Sequence, residues 1–418
     1  MTLNRGVVAM CAAQGCAQIG AFSVAALLPA LIPAWSLSNT EAGWLGGIYY
    51  AAYTLAVPLL SSLTDRVDPR RIYLASVALT AVAFAGFAWA ATGFWSALAF
   101  RALMGVGWAG SYMPGLKALS DLVEGPRQSR AVAAHAAAVG ISGALSFGVA
   151  GAVHAWLGWR WALVPGALGA ALAFALVLLG LPSRPPRTAT GPRGALLDFR
   201  PVLRNRSALA YSLAYCVHTW EMSALRAWVV TFLAFAAAQG GGSWTPLAPA
   251  TVASVMGLLG VWASVWGNEL AIRFGRRRFI LGTMLASAAM AGVIGFGTAL
   301  PYAGTAALVL IYAMLIWSDS SSLTAGSAGS AEPGRRGATL AVHSTLGYAG
   351  GFLGPLALGA TLDLLGGASV IGWGVAFGHV TVALLLGALA FVWLRPADLA
   401  GDRPALTATH ARTTATRR

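Results

Sequence analysis

Three ionisable side chains, His218, Glu221 and Arg226, stand in an otherwise apolar run of this 418-residue chain, YSLAYCVHTWEMSALRAW (211–228). At roughly 100° per residue His218 and Glu221 (i, i+3) share a helical face, Trp228 continues it and Met222 borders it. Arg226 lies about 7 Å further along the axis by helical rise. A carboxylate near a cation can titrate, and a desolvated one can hold its proton near neutral pH. Such a set could take up and release a proton; the alternative is a buried ion pair that staples this helix to its neighbours. Asp319, in IWSDSSSLTAG (316–326), is the other acid in an apolar run, with Ser318, Ser320 and Thr324 as hydrogen-bond partners. His218 and Met222 also stand at i, i+4, a spacing that could offer N and S ligands to Cu(I), with Met256 as the nearest further donor.

The elements that must position these groups are membrane helices. Hydrophobic residues are 58% of the chain and charged residues 10%, too apolar a balance for a soluble domain of this length. Twelve apolar stretches, near 6–33, 42–63, 72–93, 96–120, 131–156, 162–182, 207–236, 249–272, 279–299, 303–326, 338–362 and 373–394, are nearly all long enough for a bilayer crossing, which needs about 20 residues. Open sheet edges cannot sit in lipid, and long runs without strict alternation exclude a barrel. Of 27 Lys+Arg, almost all fall between alternate stretches; Arg160 stands on the other side, and Arg101, Lys117 and Arg226 fall within spans. That bias puts both termini in the cytoplasm. The net charge of +14 is spread over short loops, where insertion and anionic lipids explain it, and no nucleic-acid partner is expected. The first run is too long for a signal peptide and reads as a retained helix.

The Pro/Arg-rich stretch 183–206 divides the chain. The expected organisation is a bundle at 1–182, a cytoplasmic linker at 183–206, a second bundle at 207–395 and a disordered tail at 396–418. The halves repeat. SSLTDRVDPRR (61–71) follows the second span and NELAIRFGRRR (268–278) the eighth, with Arg66 and Arg273 207 residues apart. His135, Gly143 and Gly151 recur 208 residues later as His343, Gly351 and Gly359. Parallel repeats put a substrate site between the halves near the midplane.

Over essentially its whole length the chain resembles the major facilitator superfamily. Asp65, Arg66, Arg70 and Arg71 resemble the family's loop motif after the second helix, with Ser61 and Asp68-Pro69 at the two glycine positions. Arg101, Gly105 and Gly107 resemble its fourth-helix motif. GISGALSFGVAG (140–151) is similar to the antiporter motif, with Ala144 in place of its proline. The resemblance implies an all-α integral membrane protein, twelve transmembrane helices in two pseudo-symmetric six-helix bundles, moving a small solute by alternating access. It also implies that Asp65 and the loop arginines latch the two halves together at their cytoplasmic ends. The second copy keeps Arg273 but has Ile272 at the acid's place, and Glu269 is the candidate substitute.

The expected function is proton-coupled symport of a small organic anion across a bacterial-type inner membrane by a monomer. Arg226, with Lys117, would draw the anion; Glu221, His218 and Asp319 would carry the proton, all facing a shared crevice. Gln14 and Gln18 occupy the first-half positions matching the charges of the seventh span, as if one half binds and the other titrates. Tyr49, Tyr53 and Trp220 are candidate cavity aromatics, and Arg101 a candidate brace within the first half. The alternatives are a proton-driven exporter of amphipathic compounds, against which the absent proline at 144 counts, and a Cu(I) importer. Cys11, Cys16 and Cys216 form neither a metal-ligand spacing nor a disulfide framework. No nucleophile–base pair, metal cluster or phosphate loop points to an enzyme or a cofactor.

Overall fold

A computed structural model describes residues 5–124, 126–183, 199–239, 247–333, 335–399 and 402. The described chain is helical: α1 (Arg5–Gln18), α2 (Ser23–Trp35), α3 (Asn39–Leu63), α4 (Pro69–Ala90), α5 (Phe94–Ser120), α6 (Pro126–Leu157) and α7 (Val164–Gly180) precede the linker. After it come the short α8 (Arg200–Arg204), then α9 (Arg206–Gln239), α10 (Pro249–Phe274), α11 (Arg276–Ile294), α12 (Tyr302–Ser318), α13 (Ser320–Gly329), α14 (Arg336–Leu364) and α15 (Val370–Leu394). Since α1 and α2 form one broken crossing and α12 and α13 another, the helices make twelve crossings, six in each half. The face carrying Arg5 and Arg395 is called the terminal face below.

Local chemistry starts the helices where they start. Ser38 caps α3 in a capping box: its hydroxyl accepts the Glu41 N–H at 3.1 Å, and Glu41 accepts the Ser38 N–H at 2.9 Å. Asp68 caps α4, accepting the Arg70 N–H at 2.9 Å, with Pro69 opening the helix. Ser369 caps α15 through the Gly372 N–H.

Among the described residues, nine helical segments are long and apolar enough to cross a membrane. The crossings outside that set are α3, α5 and α14, which are 25, 27 and 29 residues long. Those helices pack on protein: α3 lies against both α5 and α14. Large apolar side chains on the other crossings, such as Trp89, Trp156, Leu179, Leu386 and Trp393, instead point outward, where the bilayer is their solvent.

The two halves pack alike. In the first, α4 and α3 lie on α5, α1 and α4 on α7, and α1 on α6. In the second, α11 and α10 lie on α12, α9 and α11 on α15, and α9 on α14. These pairings are the same in crossing order, so the repeat in sequence is a repeat in packing. Contacts between halves use α3 with α14, α6 with α10, and α2 with α9.

The first crossing breaks at residues 19–22, where three-residue turns replace the α-helical ladder, as in Ala21 N–H to Gln18 C=O at 3.0 Å. A Cβ on Gly20 would stand 2.5 Å from Phe84 and 2.7 Å from the Gly166 backbone, so glycine is what lets α4 and α7 close on the break. Ser146 accepts the Phe22 N–H at 3.1 Å, and Arg101 donates to the Ala21 carbonyl at 3.1 Å. The tenth crossing breaks at Asp319, between α12 and α13.

The tail expected to be disordered begins docked. The Arg276 guanidinium donates to both Asp402 oxygens at 3.0 Å, the Arg277 N–H to Asp398 at 2.7 Å, and the Tyr211 hydroxyl to the Ala397 carbonyl at 2.9 Å. Both partners of the Arg276–Asp402 pair are 3% exposed, and Arg276 also reaches Asn268. Residues 403–418 and most of the linker, 184–198, lie outside the described residues.

Candidate functional site

The long helix α9 carries the predicted charged set, and the fold sorts its members into two places. His218 and Glu221 are each 2% exposed and lie inside the second bundle. The Nδ1 of His218 is 2.8 Å from Asp319, at the break between α12 and α13. Glu221 faces Tyr312 of α12 and Ser287 of α11, with Asp319 nearby. The expectation that these groups open on a crevice shared by the halves is therefore corrected. Helix α9 is enclosed on most sides, so the face bearing His218 and Glu221 turns into the bundle. His218 Nδ1 is directed at a carboxylate, and Met256 is packed in the core.

Arg226 does lie between the halves. Its guanidinium sits 4.8 Å from the Phe22 ring of the first half and 4.8 Å from the Trp317 ring of the second. Among the described residues no carboxylate pairs with it. Trp317 is two residues from Asp319, so the aromatic support of Arg226 and the acid facing His218 belong to the two sides of one helix break. Arg101 and Arg226 thus reach adjacent residues of the first crossing's break, Ala21 and Phe22, from opposite halves.

On the first-half side, Arg101 is 2% exposed and stacks 4.1 Å over Tyr49, which lies parallel to Trp108 at 5.0 Å. Gln18, Tyr49, Thr80, Trp108 and Ser111 line a cavity of about 10 Å³, the size of one water. Gln14 is fully buried. Tyr53 alone of the predicted first-half cavity residues reaches across, to Tyr348 at 4.5 Å. Trp220 does not: its indole N–H donates to His379 Nε2 of α15 at 3.0 Å, and His379 Nδ1 meets the Ala376 carbonyl.

The predicted latch across the terminal face is also corrected. Asp65 pairs with Lys117 of its own half at 2.7 Å, and Lys117 holds Thr64 as well. Arg70 caps the end of α7 through the Leu178 carbonyl at 2.7 Å, whereas Arg66 and Arg71 are exposed. Glu269 and Arg273 are exposed on α10.

The ties between halves run instead from the opposite face to the midplane. Asp363, ending α14, accepts four hydrogen bonds from Asn39 and Thr40 at the start of α3. Below it Trp44 packs on Phe352 at 5.1 Å, and Gly47 touches the Phe352 carbonyl so closely that a Cβ would stand 2.5 Å from it. On the other flank Ser254 accepts the Gly148 N–H at 2.7 Å. Asp363, Tyr348, Trp108 and Tyr312 went unnoticed in the sequence; Asp363 offered one signal, an acid at the very end of an apolar span.

Two six-helix bundles closed at one face, with an unpaired cation between them, are the geometry of a rocking carrier, and the sequence decides the family. Residues 10–258 match the Major Facilitator Superfamily. The chain belongs to that superfamily. As a superfamily transporter it is a multi-pass membrane protein and not an enzyme. It is 26% identical over 230 residues to protein spinster homolog 3 of Danio rerio, covering 53% of this chain and 46% of that protein. It is 24% identical over 217 residues to the sphingosine-1-phosphate transporter SPNS2 of Xenopus tropicalis, covering 51% and 42%. The matches thus span about half of this transporter and less than half of those curated relatives. Its fold matches a bacterial homologue of the human lysosomal transporter spinster in an inward-facing, unoccupied conformation, with a TM-score of 0.76, 16% identity, and 94% and 97% of the two chains covered. The nucleoside transporter NupG matches with a TM-score of 0.74 at 13% identity, covering 94% and 99%.

Proposed function

We propose that this superfamily transporter carries an amphipathic organic anion by proton-coupled alternating access. The observation that supports it is Arg226, held between an aromatic ring of each half with no carboxylate partner among the described residues. A guanidinium offers several donors to a carboxylate or phosphate. The flanking Phe22 and Trp317 suit an apolar body next to that charge. The sphingosine-1-phosphate transporter among the relatives is named for a substrate of this type, an anionic head on an apolar chain.

The proton belongs to the buried cluster. His218, Asp319 and Glu221 are removed from Arg226 but joined to it through the α12–α13 break. Protonating Asp319 weakens its attraction to His218, loosens the break and shifts Trp317 against Arg226. Binding in one place and titration in another are then coupled by one bistable joint. The arginine-rich terminal face is read as cytoplasmic, in a bacterial-type inner membrane. The face closed by Asp363 is then the outer one, and the described state faces inward.

Right-side-out proteoliposomes with an imposed pH gradient test this reading, using lysophospholipids and fatty acids as probes. Uptake or extrusion should follow the proton gradient and collapse with an uncoupler. Transport of these anions that ignores the gradient removes proton coupling. Export driven by an inward proton gradient would make the protein an antiporter, the second reading.

A further inference from the structure

A groove of about 380 Å³ runs along the outside of the second bundle between α10 and α12. Its lining is apolar: Trp262, Trp266 and Leu270 on one wall, Met314 and Ser318 on the other. Its floor is Gly267, where a Cβ would overlap the Ser318 carbonyl at 1.8 Å, so the helix backbones touch. Trp262 and Trp266 are 51% and 50% exposed although they stand in the middle of a membrane crossing. They lie about a quarter turn or more round the helix from Ser254 and Val261, which face α6 of the other half.

The same face ends in a pair of opposite charges. Trp262, Trp266, Glu269 and Arg273 stand at i, i+4, i+7 and i+11, one stripe along α10. Glu269 and Arg273 are exposed, and among the described residues neither makes an ion pair or hydrogen bond, with each other or with anything else. Side chains lean toward the N-terminus of their helix, so the longer Arg273 reaches back to the level of Glu269. Two unpaired charges of opposite sign, a turn apart at the mouth of an apolar groove, complement a zwitterion on a hydrocarbon chain.

We propose that this flank is a binding site for phosphatidylethanolamine from the leaflet at the terminal face. One acyl chain lies in the tryptophan groove, Arg273 meets the phosphate and Glu269 accepts from the primary ammonium. Charge complementarity selects this headgroup. Phosphatidylglycerol sets a neutral glycerol against Glu269, with no ammonium to offset the carboxylate, and phosphatidylcholine has no N–H to donate. The proposal does not depend on what the protein transports. Its α12 wall ends at Ser318, one residue before the Asp319 break, so a filled groove braces that joint.

The test is native mass spectrometry of the full-length protein, equilibrated with equal amounts of phosphatidylethanolamine, phosphatidylglycerol and phosphatidylcholine of matched chains. The wild-type protein should retain phosphatidylethanolamine several-fold over the other two. Glu269→Gln should bring phosphatidylglycerol level with it, and Arg273→Gln and Trp266→Ala should lower retention of all three. Equal retention of the three lipids by the wild-type protein overturns the site, as does a preference for phosphatidylethanolamine that survives Glu269→Gln.

Discussion

Asp363 holds Thr40 twice, accepting its backbone N–H at 2.7 Å and its hydroxyl at 2.6 Å, across 323 residues of sequence. Its other oxygen takes both the backbone N–H and the side-chain amide of Asn39, at 3.0 and 2.8 Å. A carboxylate of one half thus caps a helix of the other. Free N–H groups and the positive end of the dipole make a helix N-terminus a ready partner for a negative charge.

Opening the face opposite the termini must break this cap. Hydrogen bonds to a charged group contribute about 1.5–3 kcal/mol each. Asp363→Asn should therefore shift the resting population toward the state open at that face by about tenfold or more. Cysteine labelling near Gly47 from that side, or distances between spin labels on α3 and α14, reads the shift; unchanged labelling would mean that the cap does not control opening.

Arg226→Gln should raise the KM for an anionic substrate by roughly 30-fold, from the loss of about 2 kcal/mol of charge-assisted bonding. Arg226→Lys keeps the charge but loses the planar fork, and should recover part of the loss. Initial-rate transport in proteoliposomes gives both values. An Arg226→Gln protein with wild-type KM takes the guanidinium out of recognition.

Glu221→Gln and Asp319→Asn should each abolish gradient-driven accumulation while leaving substrate exchange at equal pH on both sides. Gln and Asn keep size and hydrogen bonding but cannot release a proton. Accumulation that still follows the pH gradient in Glu221→Gln would leave Asp319 and His218 as the proton carriers, and its survival in Asp319→Asn would end the break-linked coupling.

Arg276 and Asp402 form a buried pair, and removing one partner strands the other's charge. Asp402→Asn should destabilise the protein by about 3–5 kcal/mol. Arg276→Gln combined with Asp402→Asn should be milder than the single change, since no uncompensated charge remains. Thermal unfolding in detergent compares the three; a single variant no less stable than the double one would show that the tail contributes little.

The crossings, the repeat and the unusual charge of α9 are all legible locally, because apolar run length and arginine placement are local properties. The direction in which His218 and Glu221 point is not. Helical period puts them on one face, but α9 is surrounded by protein, and no polar face distinguishes crevice from bundle interior. The same limit hid Trp220, whose partner His379 lies 159 residues away in α15. The Asp65 motif was readable, but its partner Lys117 stands in its own half, and no spacing in the loop itself distinguishes a tie within a half from one between halves. Asp363 escaped for the opposite reason: nothing near it in sequence is its partner.

The break at residues 19–22 makes the first crossing a jointed rod. Segment α1 lies with α7, α6 and α5, whereas α2 lies between α6 and α3 of its own half and α9 of the other. The upper piece is therefore held by both bundles, while the lower piece packs on its own. Substrate exchange would then begin as the bending of one elbow, gripped by Arg101 from one side and Arg226 from the other, before either six-helix body has turned.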